Sequence, residues 1–240
     1  MKSHHSIGTK KNILFLIIFL YGVIFGGCAP LSNRREGDNF LKRYREYQGY
    51  VSAGYACIEK KEYIRAIDHY SKAIEISPFV ASHYYYRGLA WFRKGNKGEA
   101  LEDFDKVIIL DSRWRSAYVY RGLCQMKGGE YKEALSDYKS ALNLEHDDAS
   151  IHNNLAWLYA TAEDERFRDN GKALKHAKKA AELSKERDAE ILDTLAQAYF
   201  INGKLKKAVE TERRALELEP NNGKFKENLK VYEQAMTNNK

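Results

Sequence analysis

Proline is almost missing from this sequence: three occur in 240 residues, at positions 30, 78 and 220. A chain with so few breakers offers little to interrupt its helices. Cysteine is as scarce, with Cys28, Cys57 and Cys124 alone, and no Cys-x2-Cys pair is present to hold a metal. The phosphate-cradling Gly-x4-Gly-Lys-Ser/Thr, the zinc-binding His-Glu-x2-His and the nucleophile-bearing Gly-x-Ser-x-Gly are all lacking. No catalytic spacing remains, and the chain reads as non-catalytic, with no metal and no cofactor. Of the histidines, His4 and His5 stand near the N-terminus, while His69, His83, His146, His152 and His176 are scattered singly. A large excess of one charge is also lacking, since 40 basic residues face 33 acidic ones. The carboxylates are spread among lysines in the pattern of solvated helix faces.

Long apolar runs are absent too. The longest strongly apolar stretch, 13–25, has thirteen residues, short of the ~20 that span a bilayer. Lys2, Lys10 and Lys11 precede it and Gly26-Gly27-Cys28 follows. A charged segment, a short apolar segment and small residues before a cleavage point make an export signal. Residues 1–27 resemble a bacterial lipoprotein signal peptide, with Cys28 as the lipid-modified first residue of the mature chain. Phe25 departs from the usual aliphatic residue three before that cysteine, and an uncleaved anchor is the alternative. Removing 1–27 takes away three lysines and no acid, so the formal charge falls from +7 to +4. That excess is too mild to argue for nucleic acid, which export would also disfavour.

What is abundant is repetition. Two successive blocks of 34 residues, 81–114 and 115–148, share twelve identities in one ungapped register, among them Tyr84/Tyr118, Arg87/Arg121, Gly88/Gly122, Gly95/Gly129, Ala100/Ala134 and Asp103/Asp137. A fixed period of this length means units stacked along a line. At ~100° per residue, Tyr84, Arg87, Gly88 and Trp91 share one helix face, and Gly95 ends that helix as a C-terminal glycine should. Ala100, Phe104 and Val107 then form the stripe of a second helix. The small residues let partner helices approach, and aromatics fill what remains.

These blocks resemble tetratricopeptide repeats, whose pattern is aromatic-x2-Leu-Gly-x2-Tyr, then Ala-x3-aromatic, then Ala and Pro. Block 47–80 fits through Tyr50, Gly54, Ala66, Tyr70, Ala73 and Pro78, and block 189–222 through Leu195, Ala196, Tyr199, Gly203, Ala208, Ala215 and Pro220. Glu212 stands in the last block where the first three have Tyr or Phe. Between them, 149–188 runs six residues over the period, with a second helix from 172 and a connection at 163–171 that ends in the turn-forming pair Asn170-Gly171. That connection reads either as a tolerated surface insertion or as a partner-contacting element tipped by Arg166, Phe167 and Arg168. Residues 28–46 hold Cys28, a polar tether over 29–37 and the start of a helix capped by Asp38. Residues 223–240 hold a capping helix with Phe225, Leu229 and Tyr232 on one stripe and Lys224, Lys226 and Lys230 off it. The resemblance thus implies an all-α fold, a right-handed α-solenoid of five helix-turn-helix repeats plus a C-terminal capping helix. Cys57 and Cys124 fall two repeats apart, beyond the ~7 Å reach of a disulfide, and read as small buried apolar residues.

In the family, stacked first helices line a concave wall. The positions facing away from the helix-pair contacts give Val51, Ser52 and Tyr55; Tyr85, Tyr86, Leu89 and Arg93; Val119, Tyr120, Leu123 and Lys127; Asn153, Asn154 and Trp157; and Asp193, Thr194 and Gln197. Tyrosine and tryptophan dominate binding hot spots, and amides can bond a peptide backbone. The competing reading is that these rings pack on each other. Relatives that clamp a chaperone's terminal carboxylate carry Lys and Asn at positions 5 and 9 of one repeat, Asn at 6 of the next, and Lys and Arg at 2 and 6 of the third. No three successive repeats supply that set. His152, on a core position, reads as a hydrogen-bonded helix residue. Lysines and arginines gather on the second helices of the last two repeats, an outer face that is solvated or meets anionic lipid headgroups or acidic glycan.

The function read from this pattern is an adaptor that binds a protein or peptide partner in the concave groove and meets the membrane through its lipid anchor. The alternative is a cell-wall glycan-binding or glycan-processing protein using the same groove. Ala29 lacks the aspartate that retains enteric lipoproteins at the inner membrane, so the resemblance implies the periplasmic face of an outer membrane.

Overall fold

A computed structural model describes residues 31–238; Cys28 and the apolar stretch 13–25 lie outside them. The described residues form eleven α-helices and no strand: α1 (Leu31–Glu59), α2 (Tyr63–Ile76), α3 (Ala81–Lys94), α4 (Lys97–Leu110), α5 (Arg115–Gly128), α6 (Tyr131–Leu144), α7 (Ala149–Thr161), α8 (Asn170–Leu183), α9 (Ala189–Ile201), α10 (Leu205–Leu218) and α11 (Gly223–Asn238). Among these residues no helix is long and apolar enough to cross a membrane. The chain divides into two units, 1–50 and 51–240. In the first, Tyr44 and Tyr47 pair with centroids 6.4 Å apart. The second is the α-solenoid of helix-turn-helix repeats.

The N-terminal tether differs from expectation. Helix α1 begins at Leu31, so 31–37 are helical and Asp38 lies inside the helix instead of capping it. The segment Arg34-Arg35-Glu36 is rich in helix formers, and no proline follows Pro30 before the helix ends.

Each of the first three repeats closes by one contact. A methyl group added to Gly54 would stand 2.9 Å from the Tyr70 ring, one on Gly88 3.0 Å from Phe104, and one on Gly122 2.8 Å from Tyr138. The three rings are at most 1% exposed. Glycine on the first helix is thus the hole into which the ring of the second helix fits. Gly95 (φ 92°) and Gly129 (φ 82°) close the intervening turns in the left-handed conformation; Lys61 (φ 59°) holds the corresponding place in the first repeat.

Arginine locks the second and third repeats. Arg87 donates to both carboxylate oxygens of Asp103 at 2.9 and 2.7 Å, and to Ser71 of the preceding repeat at 3.1 Å. Arg121 repeats this with Asp137 at 2.7 and 2.6 Å and with Asp105 at 2.6 Å. Bidentate geometry on a buried carboxylate is the strong form of an ion pair. The Tyr84 hydroxyl adds a bond to the Pro78 carbonyl at 3.0 Å, again tying one repeat to the one before.

The core is therefore a row of small clusters, around Tyr70, Phe104, Tyr138, Ala177, Leu192 and Tyr232. First helices touch first helices of the next repeat (α3 with α5, α5 with α7, α7 with α9), while no contact of that extent joins successive second helices. The first helices thus lie closer together and form the inner wall.

The long connection after α7 folds on itself. Glu165–Phe167 make one 3-10 turn, Phe167 packs on Tyr131 at 5.7 Å, and Arg168 donates to the carbonyls of Ala162 and Glu163. Helix α8 starts two residues earlier than expected, because the Asp169 side chain caps it by accepting from the Lys172 amide at 2.9 Å. Asn170 and Gly171 are its first residues instead of a turn.

Two glycine substitutions test this packing. Gly122→Ala should lower the free energy of urea unfolding by ~1–3 kcal/mol, since the buried Tyr138 ring cannot give way. Gly98→Ala, where nothing lies within 4 Å, should raise it by ~0.4–1 kcal/mol. A stabilised Gly122→Ala would show that the ring-on-glycine contact is loose.

Candidate functional site

The inner wall has two chemically distinct halves. In the first, rings expected to line an open groove interlock. Tyr86 stacks on Tyr70 with centroids 5.5 Å apart and meets Tyr55 edge-on at 6.1 Å. Tyr85 lies 5.3 Å from Tyr86, 5.2 Å from Trp114 and 6.1 Å from Tyr120. Tyr120 stacks on Phe104 at 5.7 Å and meets Phe92 at 5.4 Å. Tyr85, Tyr86 and Tyr120 are half-buried in consequence, and burial pushes the Tyr85 phenol up to about 12. The reason is steric: these first-helix side chains point at the rings that close the helix pairs. Tyr55 remains half exposed, at 51%. Arg93 and Lys127 are exposed at the helix ends, and the Lys127 ammonium lies 4.9 Å from the Phe92 centroid.

Beyond the third repeat the rings give way to polar side chains. Asn153, Asn154 and Trp157 on α7 and Gln197 on α9 are all partly exposed, and the Asn153 Oδ1 is buried with no hydrogen-bond partner. Asp193 and Thr194, expected on the open wall, are buried at 0% and 4% exposure. For Asp193 the cause is α11, which packs on α10 and sends its first turn across the wall. Lys224 donates to Asp193 Oδ2 at 2.7 Å and Asn228 to Asp193 Oδ1 at 2.7 Å. The same Lys224 ammonium stands 5.2 Å from the Trp157 ring centroid, a cation–π distance. Helix periodicity alone places Lys224 in solvent; the partner that draws it in is sixty-seven positions away, at Trp157, and leaves no local signal.

Glu212 completes the cluster. It is fully buried where earlier repeats place a ring, and neither of its oxygens has a hydrogen-bond donor. Burial, with the neighbouring Asp193 charge adding to it, pushes its carboxyl up to about 8. At neutral pH it is a carboxylic acid able to donate to Asp193. In the fourth repeat, His152 and His176 face each other, Nδ1 to Nδ1, at 2.9 Å. Burial holds both imidazoles below their ordinary value, His176 at about 4, so one donates and the other accepts. His152 is thus hydrogen-bonded, as its core position implies. Among the described residues no group of three His, Cys, Asp or Glu side chains could hold a metal. Cys57 and Cys124 are free and buried.

The basic outer face is neutralised in part. Lys172 pairs with Asp169, Lys179 with Glu182, Lys206 with Glu210, Arg213 with Glu233 and Arg214 with Glu186.

Helix pairs stacked so that their first members line one wall define a repeat scaffold that presents a surface. The chain is a tetratricopeptide-repeat protein: the model of the TPR repeat matches residues 54–95 and 122–161, and that of the prolyl 4-hydroxylase peptide-substrate-binding domain, a TPR-type model, matches 170–238. No curated protein matches it in sequence. Among solved structures it is similar to TTC0263, a thermophilic TPR protein of Thermus thermophilus (21% identity, 78% of this chain and 98% of that one, TM-score 0.61). It is also similar to MamA 41-end from Desulfovibrio magneticus RS-1 (21%, 74% and 97%, TM-score 0.63). A third likeness is YrrB, described as a TPR protein with an unusual peptide-binding site (20%, 77% and 92%, TM-score 0.57). At these identities the likeness concerns the fold.

The two buried titrating sites have opposite pH signs. The native histidine pair refuses protons that the unfolded chain takes up, so its contribution is lost as pH falls from 6.5 towards about 4. Native Glu212 keeps a proton that the unfolded chain releases, so stability is lost as pH rises from 4.5 to about 8 and levels off beyond. Between pH 6.5 and 8 the wild-type melting temperature should fall. Glu212→Gln should remove that slope, which amounts to at most ~1.4 kcal/mol per pH unit. Parallel melting curves for the two proteins would mean that Glu212 titrates as an exposed acid.

Proposed function

We propose that this protein is a non-catalytic adaptor that binds an extended segment of a protein partner along the inner wall of its second half. The observation that carries this reading is the arrangement on α7 and α9: Asn153, Asn154 and Gln197 present amides on the same wall as the partly exposed indole of Trp157. Amides offer donors and acceptors to a peptide backbone, and an indole offers stiff, amphipathic area for a side chain. The interlocked first half supplies the rigid base, with Tyr55 as its open ring. A peptide ligand also agrees with the peptide-substrate-binding domain whose model matches 170–238.

The reading includes attachment through Cys28. A single acyl chain holds a protein only marginally, so durable attachment needs the several chains of a bacterial lipoprotein. The reading extends to the periplasmic face of an outer membrane, where the source has one, and Ala29 in place of a retaining aspartate supports it.

Affinity capture from envelope extract should retrieve a protein partner with the wild-type chain, and Trp157→Ala with Asn153→Ala should reduce its recovery at least tenfold. Retention on purified peptidoglycan with no protein partner would overturn the adaptor reading in favour of glycan binding. Cys28→Ser should abolish labelling by a fatty-acid analogue; labelling that persists would remove the anchor.

A further inference from the structure

On the wall of the fourth and fifth repeats lies a lysine of the chain itself. The Lys224 ammonium lies between the Trp157 face at 5.2 Å and the Asp193 carboxylate at 2.7 Å. Its side chain is 50% exposed, whereas that of Asp193 is 1% exposed. Glu212 lies fully buried beside Asp193 with no donor on either oxygen. The unpartnered Asn153 Oδ1 stands one helical turn from Trp157 on the same face of α7.

We propose that the wall between Trp157 and Asp193 is a receptor for a lysine side chain of the partner, a place that Lys224 occupies in the partner's absence. The proposal rests on the reading of this wall as the partner-binding surface and names what the wall selects. An aromatic face over a buried carboxylate favours a cation, and the one seated there is an ammonium, a compact point charge on a flexible stem. Lys224 can leave without undocking its helix. Phe225 at 0% exposure and Tyr232 at 4% hold α11 in place, while the lysine reaches the wall through a half-exposed stem. Exchange therefore swaps one ammonium for another, and the partner's flanking backbone meets Asn153, Asn154 and Gln197. Lys224 thereby screens the site against ligands that lack a cation.

Chemical rescue tests the site without any partner. Lys224→Ala should melt below the wild type, and n-butylammonium chloride at 50 mM, matched for ionic strength, should restore most of the loss. Tetramethylammonium, which has no N–H, should not, and neither amine should shift Lys224→Ala combined with Asp193→Asn. If Lys224→Ala does not fold alone, folding on addition of n-butylammonium is the same result; failure to fold with either amine overturns the proposal. In Lys224→Ala, the peptide acetyl-Gly-Gly-Lys-Gly-Gly-amide should move the Trp157 indole N–H resonance, identified by its loss in Trp157→Phe, at a concentration at least tenfold lower than in the wild type. Its Nε-acetyllysine form should not. Equal effects of the two amines, or equal shifts from the two peptides, would overturn the lysine site while leaving partner capture to be judged by Trp157→Ala.

Discussion

One contact sets the geometry of the first three repeats: a ring on the second helix seated on a glycine of its own first helix. Tyr70, Phe104 and Tyr138 stand on Gly54, Gly88 and Gly122 so closely that a methyl group would collide. Two of these rings also stack on a tyrosine of the next repeat, Tyr70 on Tyr86 and Phe104 on Tyr120. The side chain that closes a helix pair therefore also fixes where the following pair sits. Stability in such a row is nearest-neighbour in character, and this ring carries both the internal and the neighbouring contact.

The device stops after the third repeat. Ala156 and Ala177 pack in one cluster at the positions of the earlier glycine and ring, and in the fifth repeat Ala196 and Glu212 occupy those positions. The space once filled by aromatic carbon now holds polar groups. A histidine pair stands in the fourth repeat and a carboxyl pair in the fifth, each tied down at the cost of desolvation. Buried polar groups bind only what completes them, and Lys224 with Asn228 does so from α11. The aromatic half of the solenoid is thus closed by interlocked rings, and the polar half is where the proposed site lies.

Charge pairing follows the same division. Arg87 and Arg121 each bind the aspartate of their own repeat and reach into the one before, so the second and third repeats are locked by paired ions as well as rings. Leu155 and Leu195 hold the corresponding places later in the chain. There, polar links run instead to the terminal helix, where the chain's own lysine covers the wall.

Much of the architecture is legible without coordinates, because helix periodicity and a 34-residue repeat are local properties of the chain. Glycines at one position and rings at another announce close helix pairs, and Glu212 announces itself by replacing a ring. The sequence also carries the arginine and aspartate identities, yet their bonding waits on the pairing of helices. The tether departs from its polar appearance since helix propensity in 31–37 outweighs the glycine at 37. The wall is the least legible part. Whether Tyr85, Tyr86 and Tyr120 stand open or interlocked depends on the distance between successive repeats, which no single helix encodes. By itself the order of residues determined which elements form and which faces they bury. Only the tertiary structure decided that a terminal lysine would lie on Trp157 and Asp193, because that contact joins three helices remote in the chain and is selected by the shape they make together.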